Sequence, residues 1–495
     1  MNNRNSVGIA EKKNHKEPKI NKSTGKTKTK SFKVGFIPAM LDLYDEMDPN
    51  IRKSLAGFAA EVKDFLNRDS QLTVEFAPIS ANRKEFQTHC CSFEKQGFDL
   101  LVLAHFSYSP SGEIVPALLK TGLPILLWPA QKIEKINAET FGQQELVLNH
   151  GVHGTQDLAN MLRRNHRQYG VLHEHFKQPQ FAQQLIEWAK AARAVNAMRQ
   201  SNPLFLGGHF EHMLDLQLDD EDFLRKFGVK GEEVALDEFA AIAEKIPTKD
   251  IQQKIENYQK IFDWDSKLKP ALIAKVVRNE LALRKLLSNK TSKAIGINFK
   301  TTCKHPGIAD SLHFAGSIMM SEGIGYAGEG DWVTAMFQHG LQSTLGKTSF
   351  SEIFSVGYMD NRLLLEHWGE GNIAMAKDKP SVCYSSCKTK DENAEFAVFN
   401  FQFIPSPQAV LVNLNTSKHS NGQIITICGA IEPDGLPLLS GPRTLFKPTQ
   451  TSDVRELLDS YAYSGGSHHS VLVPFDCMGV IEKLVRLLDW EHIKL

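Results

Sequence analysis

The chain has 495 residues and equal numbers of acidic and basic side chains, 57 of each, so its formal net charge is zero. Such a length calls for two to four domains rather than one core, and the charge balance argues against a nucleic-acid partner. Hydrophobic residues make up 42% and charged residues 23%, a soluble globular balance, while no apolar run approaches the ~18 residues of a membrane helix.

Residues 1–32 stand apart. Nine Lys or Arg residues face only Glu11 and Glu17, with Asn, Ser, Thr and Gly between them. A stretch so poor in apolar surface cannot offset its ordering entropy, so a disordered basic leader is expected. It holds no apolar signal core, which points to a cytoplasmic protein. Lys33 to Pro38 reads as a buried strand. Ile51, Leu55, Phe58, Val62 and Leu66 then recur at helical spacing over 49–67. Strand and helix alternate onward: strands at 72–77, 100–104 and 124–128, helices at 83–96, 113–120 and 158–167. The apolar run at 100–104 suits a central parallel strand. Near Asn202-Pro203 the alternation restarts, with a strand at 204–206 and long helices at 252–263 and 269–288. From Thr348 the texture changes. Segments 397–403, 409–413 and 423–430 are strand-like with Gly, Pro and Asn between, and 480–490 closes as a helix. The fold class expected is α/β. An N-terminal domain (33–203) and a central domain (204–346) are doubly wound and Rossmann-like, and a C-terminal domain (347–495) is a mostly antiparallel sheet or barrel.

Chemistry concentrates in four distant places. They are Glu329 in GYAGEGDW, Glu352 in TSFSEIF, His367 in LLLEHWGE, and His468 or His469 in GGSHHSV. Two carboxylates and two imidazoles form a mixed oxygen and nitrogen set suited to manganese or a similar divalent ion. Each lies in a Gly-, Ser- or Thr-rich stretch beside an apolar run, where a turn at a strand end could deliver it into a cleft. Asp331 reads equally as a partner for a metal-bound imidazole or as the N-cap of a helix over 333–341. His105, Ser107 and Gln131 sit just past two strand ends, where doubly wound sheets gather ligands. Seven scattered cysteines, an odd count, fit a reducing compartment. Cys383-x-x-x-Cys387 is half of a zinc pattern without a second pair.

Taken together, GEGDW at 328–332, TSFSE at 348–352, LLLEHWGE at 363–370 and GGSHH at 465–469 resemble, in order, the L-arabinose isomerases and more loosely the L-fucose isomerases. LVLAHFSYSP at 101–110, PILLWPAQ at 124–131, LNHGVHG at 148–154 and GHFEHMLDLQLDD at 208–220 extend the resemblance over roughly residues 33–495. It implies an aldose–ketose isomerase that binds Mn²⁺, or else Co²⁺ or Mg²⁺. Glu329 and Glu352 would act both as ligands and as the acid–base pair. His367 and His469 would complete the set, with His468 as the alternative. Gln131, Met213 and His153 match positions near the sugar. The family's assembly implies a homo-trimer or homo-hexamer acting on a small sugar. Two departures stand out. Glu352 is followed by Ile353, Phe354, Ser355, Val356 and Gly357, where the best-known members have Asp-Tyr-Thr-Tyr-His. The first strand leads into IPAMLDLYDE rather than Gly-Ser-Gln-His-Leu-Tyr-Gly. Both regions lie near the sugar in that family. Another substrate, L-fucose or D-galactose, and a non-catalytic sugar-binding protein on the same scaffold are the alternatives.

Overall fold

Five parallel strands make the first sheet, in the spatial order Leu72–Phe76, Phe32–Ala39, Leu100–His105, Ile125–Pro129, Gly170–Val171. The computed structural model describes residues 31–217, 220–388, 393–415, 421–433 and 435–495. Residues 1–30 of the expected basic leader, and the side chain of Cys387, lie outside the described residues. The strands alternate their apolar side chains between two cores. Val34, Phe36, Val102 and Trp128 enter one, with Phe58 and Phe106. Ile37, Leu101, Leu103 and Leu127 enter the other, against Phe86, Ile114 and Leu118. A sheet buried on both faces needs apolar residues at every position, hence the continuous runs in the sequence.

A second parallel sheet follows, in the order Gly325–Gly328, Ala294–Ile297, Leu204–Leu206, Glu232–Val234. The helix Trp332–Leu345 packs on its strands Gly325–Gly328 and Ala294–Ile297, the helix His313–Ser321 packs on Gly325–Gly328, and the long helices Thr248–Ile261 and Pro270–Asn289 pack on each other. Sequence periodicity gives no helix between 167 and 202, yet Pro179–Arg199 is a helix of 21 residues. Ten of those residues are buried, spread around its circumference. A helix covered on most sides lacks an apolar stripe, so the 3.6-residue signal is weak. It packs against the helices Trp332–Leu345 and Met478–Leu488, tying the three regions together.

Beyond residue 348 six antiparallel strands close into a barrel. Ser349–Gly357 pairs with Arg362–Glu366, then Pro442–Pro448, Gln423–Glu432, Ser406–Asn415 and His469–Val473, which returns to Ser349–Gly357. The strands Asn393–Gln402 and Ser381–Lys388 extend it on one side and Glu491–Lys494 on the other. Among the described residues no helix is long and apolar enough to cross a membrane.

Candidate metal centre

Glu329 is the first residue past the strand Gly325–Gly328. It takes a left-handed backbone conformation, φ 54°, followed by Gly330 at φ 77°. Side chains rarely adopt the first of these, and such strain collects at functional sites. The turn is clamped on both sides. A Cβ on Gly296 would fall 2.6 Å from the Gly330 carbonyl carbon, and one on Gly330 would fall 2.3 Å from the Gly208 carbonyl oxygen. The Phe210 amide also donates to the Glu329 carbonyl at 2.9 Å. Asp331 then caps the helix Trp332–Leu345 by accepting from the Thr334 amide at 2.9 Å.

The barrel supplies the other three groups. Glu352 and His469 are direct cross-strand partners, so their side chains share a face. Glu366 pairs with Glu352 from the other side, and His367 is the next residue after that strand ends. Turns therefore deliver Glu329 and His367, as the sequence pattern implies. Glu352 departs from that expectation, because it sits within the strand Ser349–Gly357, and His469 is the first residue of its own strand.

Glu329, Glu352, His367 and His469 converge, each offering one donor atom within 4.8 Å of the others. His469 Nε2 lies 2.6 Å from Glu329 Oε2 and 3.1 Å from Glu352 Oε1. His367 Nε2 lies 3.1 Å from Glu352 Oε1 and 3.7 Å from Glu329 Oε1. The opposite ring nitrogens face outward onto carboxylates. His469 Nδ1 donates to Asp331 Oδ2 at 2.8 Å, and His367 Nδ1 lies 2.7 Å from Glu370 Oε1. That second contact is short but lacks straight hydrogen-bond geometry, since His367 Nδ1 has no well-aligned acceptor. Asp331 thus fills both roles open to it, helix cap and imidazole partner. Glu370 was hidden in the sequence as one acid in LLLEHWGE; its spacing of three from His367 is the only trace.

Electrostatics follow from burial and pairing. Burial raises the carboxyls of Glu329 and Glu352, but the close pairing with His367 and His469 outweighs it and holds both well below the usual range. Burial likewise opposes charging of the imidazoles. The carboxylates of Glu370, Glu329 and Glu352 overcome it for His367, and those of Asp331, Glu329 and Glu352 for His469, so both rings are held well above their ordinary value. Glu352 Oε1 is buried yet makes no well-formed hydrogen bond, although two imidazole nitrogens stand at 3.1 Å. Once the two imidazoles give up their protons to act as ligands, a buried carboxylate oxygen in that state is costly unless another cation meets it. With two oxygens and two nitrogens facing one point, the residues fit a divalent ion.

Residues 28–200 match the L-arabinose isomerase N-terminal domain and residues 219–345 the L-arabinose isomerase central domain. The chain belongs to the L-arabinose isomerase family. It is a divergent member. It is 22% identical to the L-arabinose isomerase of Vibrio parahaemolyticus, over 93% of each chain. It is 22% identical to L-arabinose isomerase 1 of Clostridium acetobutylicum, over 94% of this chain and 95% of that one. A Nocardioides L-arabinose isomerase is 23% identical over 74% of each. Enzymes of the L-arabinose isomerase family are aldose–ketose isomerases, that is, intramolecular oxidoreductases.

The remaining sequence candidates of this L-arabinose isomerase relative lie elsewhere. His468 points away from the four candidate ligands, with Nδ1 2.6 Å from Asp215 Oδ2. Asp215 follows Met213, which is half-buried at the entrance to a short 3-10 turn. Gln131 donates to the Ile133 carbonyl at 2.9 Å, and exposed His153 stacks on Tyr108 with ring centroids 4.8 Å apart. Both occupy the carboxyl edge of the five-stranded sheet. His105 there is fully buried against Thr155, and Ser107 is buried beside it.

Proposed function

We propose that this chain is a metal-dependent aldose–ketose isomerase that moves hydrogen between C1 and C2 of an open-chain sugar. The observation that carries the reading is Glu352 Oε1, a buried carboxylate oxygen without a proper hydrogen bond, set between two imidazoles and a second carboxylate. Glu329, Glu352, His367 and His469 would hold Mn²⁺, or else Co²⁺ or Mg²⁺. When bound, such an ion supplies a Lewis acid and a template for two adjacent sugar oxygens. The chain's own residues do the rest. Glu329 and Glu352 stay ionised, the state in which a carboxylate can remove the C2 proton and return it to C1 through a cis-enediol. Asp331 and Glu370 occupy the outer nitrogens of His469 and His367, so each ring presents Nε2 inward. Phe350 lies with its ring 4.8 Å from His367 and 4.7 Å from His469, shielding both imidazoles from water.

Met213 is the substrate-contact candidate on the segment that reaches the centre through Asp215 and His468. Gln131 and His153 sit on another sheet, so they would meet the sugar where a second copy lays that edge over the centre, in a homo-trimer or homo-hexamer. A cytoplasmic setting accords with sugar metabolism. L-arabinose is the first substrate to expect. L-fucose is the second, favoured by Phe354. The residue is 44% exposed and its ring stands 6.4 Å from that of His367, an apolar neighbour for a sugar methyl group. The test is incubation of Mn²⁺-loaded protein with L-arabinose, L-fucose and D-galactose in D₂O. Ketose from at least one of the three is the expected product, with deuterium at C1 in the fraction of turnovers in which the protonated carboxylate exchanges with solvent before it reprotonates C1, and no ketose from any of the three would sink the proposal.

A further inference from the structure

Behind His367 the chain buries a second layer of polar groups that metal binding does not itself require. The segment His367-Trp368-Gly369-Glu370 doubles back on itself, with the Gly369 amide donating to the His367 carbonyl at 2.5 Å. Gly369 has φ 133°, and a Cβ there would fall 2.6 Å from Val398 Cγ1. Glycine therefore permits the turn that brings Glu370 beneath the His367 ring. Gly328 leaves the space above, since a Cβ there would fall 3.0 Å from His367 Cε1 and 3.5 Å from Glu370 Oε1.

Glu370 is 1% exposed. A carboxylate buried that deeply needs partners on both oxygens. The Tyr326 hydroxyl donates to Oε1 at 3.2 Å, the same oxygen that faces His367 Nδ1. His313 Nδ1 stands 3.4 Å from Oε2, and neither atom has a hydrogen-bond partner closer to ideal. Tyr326 and His313 come from separate elements, the strand Gly325–Gly328 and the helix His313–Ser321. Both are almost wholly buried. Neither touches the four candidate ligands through a hydrogen bond; their polar route to the centre runs through Glu370, and the His313 ring also meets the His367 ring edge to face with centroids 6.2 Å apart.

We propose that Tyr326 and His313 are positioning residues of the metal centre, gripping the two oxygens of Glu370 so that Glu370 fixes the His367 ring with Nε2 inward. The proposal rests on the metal reading above. Partners that orient a metal-bound imidazole are worth about 10–100-fold in metal affinity, and a residue one step further out contributes a fraction of that. Y326F removes one oxygen atom and keeps the ring that packs on Phe350, so the fold is preserved. H313Q keeps a polar group of similar reach.

The experiment is an Mn²⁺ titration of the full chain followed by the EPR signal of free Mn²⁺, which needs no turnover. E370Q should weaken binding about 10–100-fold. Y326F and H313Q should each weaken it about three- to tenfold, by the same argument at one remove. In the E370Q background Y326F should add little and H313Q less than its single-variant effect, because both act on the same carboxylate and only His313 also packs on the His367 ring. A purely structural role would instead lower melting temperature and add to the E370Q effect. Wild-type affinity in Y326F or H313Q, or full additivity with E370Q, overturns the assignment for that residue while leaving the metal reading intact. A wild-type chain that binds no Mn²⁺ overturns both.

Discussion

Asp331 offers a substitution that separates metal holding from helix holding. One oxygen accepts from the Thr334 amide at 2.9 Å and caps the helix Trp332–Leu345. The other accepts from His469 Nδ1 at 2.8 Å. In D331N the amide oxygen can keep the cap, and Asn caps about as well as Asp. The amide nitrogen then faces His469 and can only donate. His469 must accept at Nδ1 and carry its proton on Nε2, the atom that faces Glu329 and Glu352. Loss of such an orienting carboxylate costs about 10–100-fold in metal affinity, or about 1.4–2.7 kcal/mol at 1.36 kcal/mol per decade. D331A should lose the same affinity and also about 1 kcal/mol of stability, because the cap goes with it. Calorimetric Mn²⁺ titration beside thermal melting of the metal-free proteins reads the two effects apart. D331N with wild-type Mn²⁺ affinity would refute the reasoning, as would D331N melting as low as D331A.

E352Q keeps the volume but removes both the charge and the base, so kcat should fall at least ~10²-fold in a ketose assay; near-normal turnover would remove Glu352 from the mechanism. Mn²⁺ affinity should climb with pH beyond 7 rather than level off near 6.5. Carboxylates hold the His367 and His469 protons above the ordinary imidazole range, and each proton must leave before Nε2 can ligate. A plateau starting at pH 6.5 in a titration series would contradict this. His105 should set part of the acid limit. Burial pushes it down to about 3, while the unfolded chain has an ordinary value near 6.5. The unfolded state therefore binds the proton first, and stability falls as pH drops below 6.5 towards 3. Between pH 7.5 and 5 the loss is about 2 kcal/mol. In H105N that difference, measured by denaturant unfolding at the two pH values, should shrink by about that amount, and an unchanged difference would exclude His105 as its source.

Much of the architecture was visible in the sequence because its physics is local. Runs such as LLVLA at 100–104 become strands buried on both faces, and Asn50–Leu66 carries its apolar stripe openly. The helix Pro179–Arg199 escaped because burial on most sides erases the stripe. The strands Ser381–Lys388 and Pro442–Pro448 mix Ser, Cys, Lys and Pro with few apolar residues, so alternation is faint. At the centre, residue type and motif order pointed to Glu329, Glu352, His367 and the histidine pair. The resemblance favoured His469 over His468; the physical reason for a difference is barrel register, which pairs His469 with Glu352 and turns His468 to Asp215. Register is a long-range property that spacing does not encode. Glu370, Tyr326 and His313 were invisible for the same reason, since three separate elements bring them together only after folding.

The central claim is that four side chains hold one divalent ion. Equilibrium dialysis of chelator-stripped protein against Mn²⁺ tests it directly, with wild type, H469A and H468A measured side by side. One tightly held Mn²⁺ per chain in wild type and in H468A, and none in H469A, is the result the account requires. Retention of the ion by H469A, or its loss from H468A alone, would contradict it.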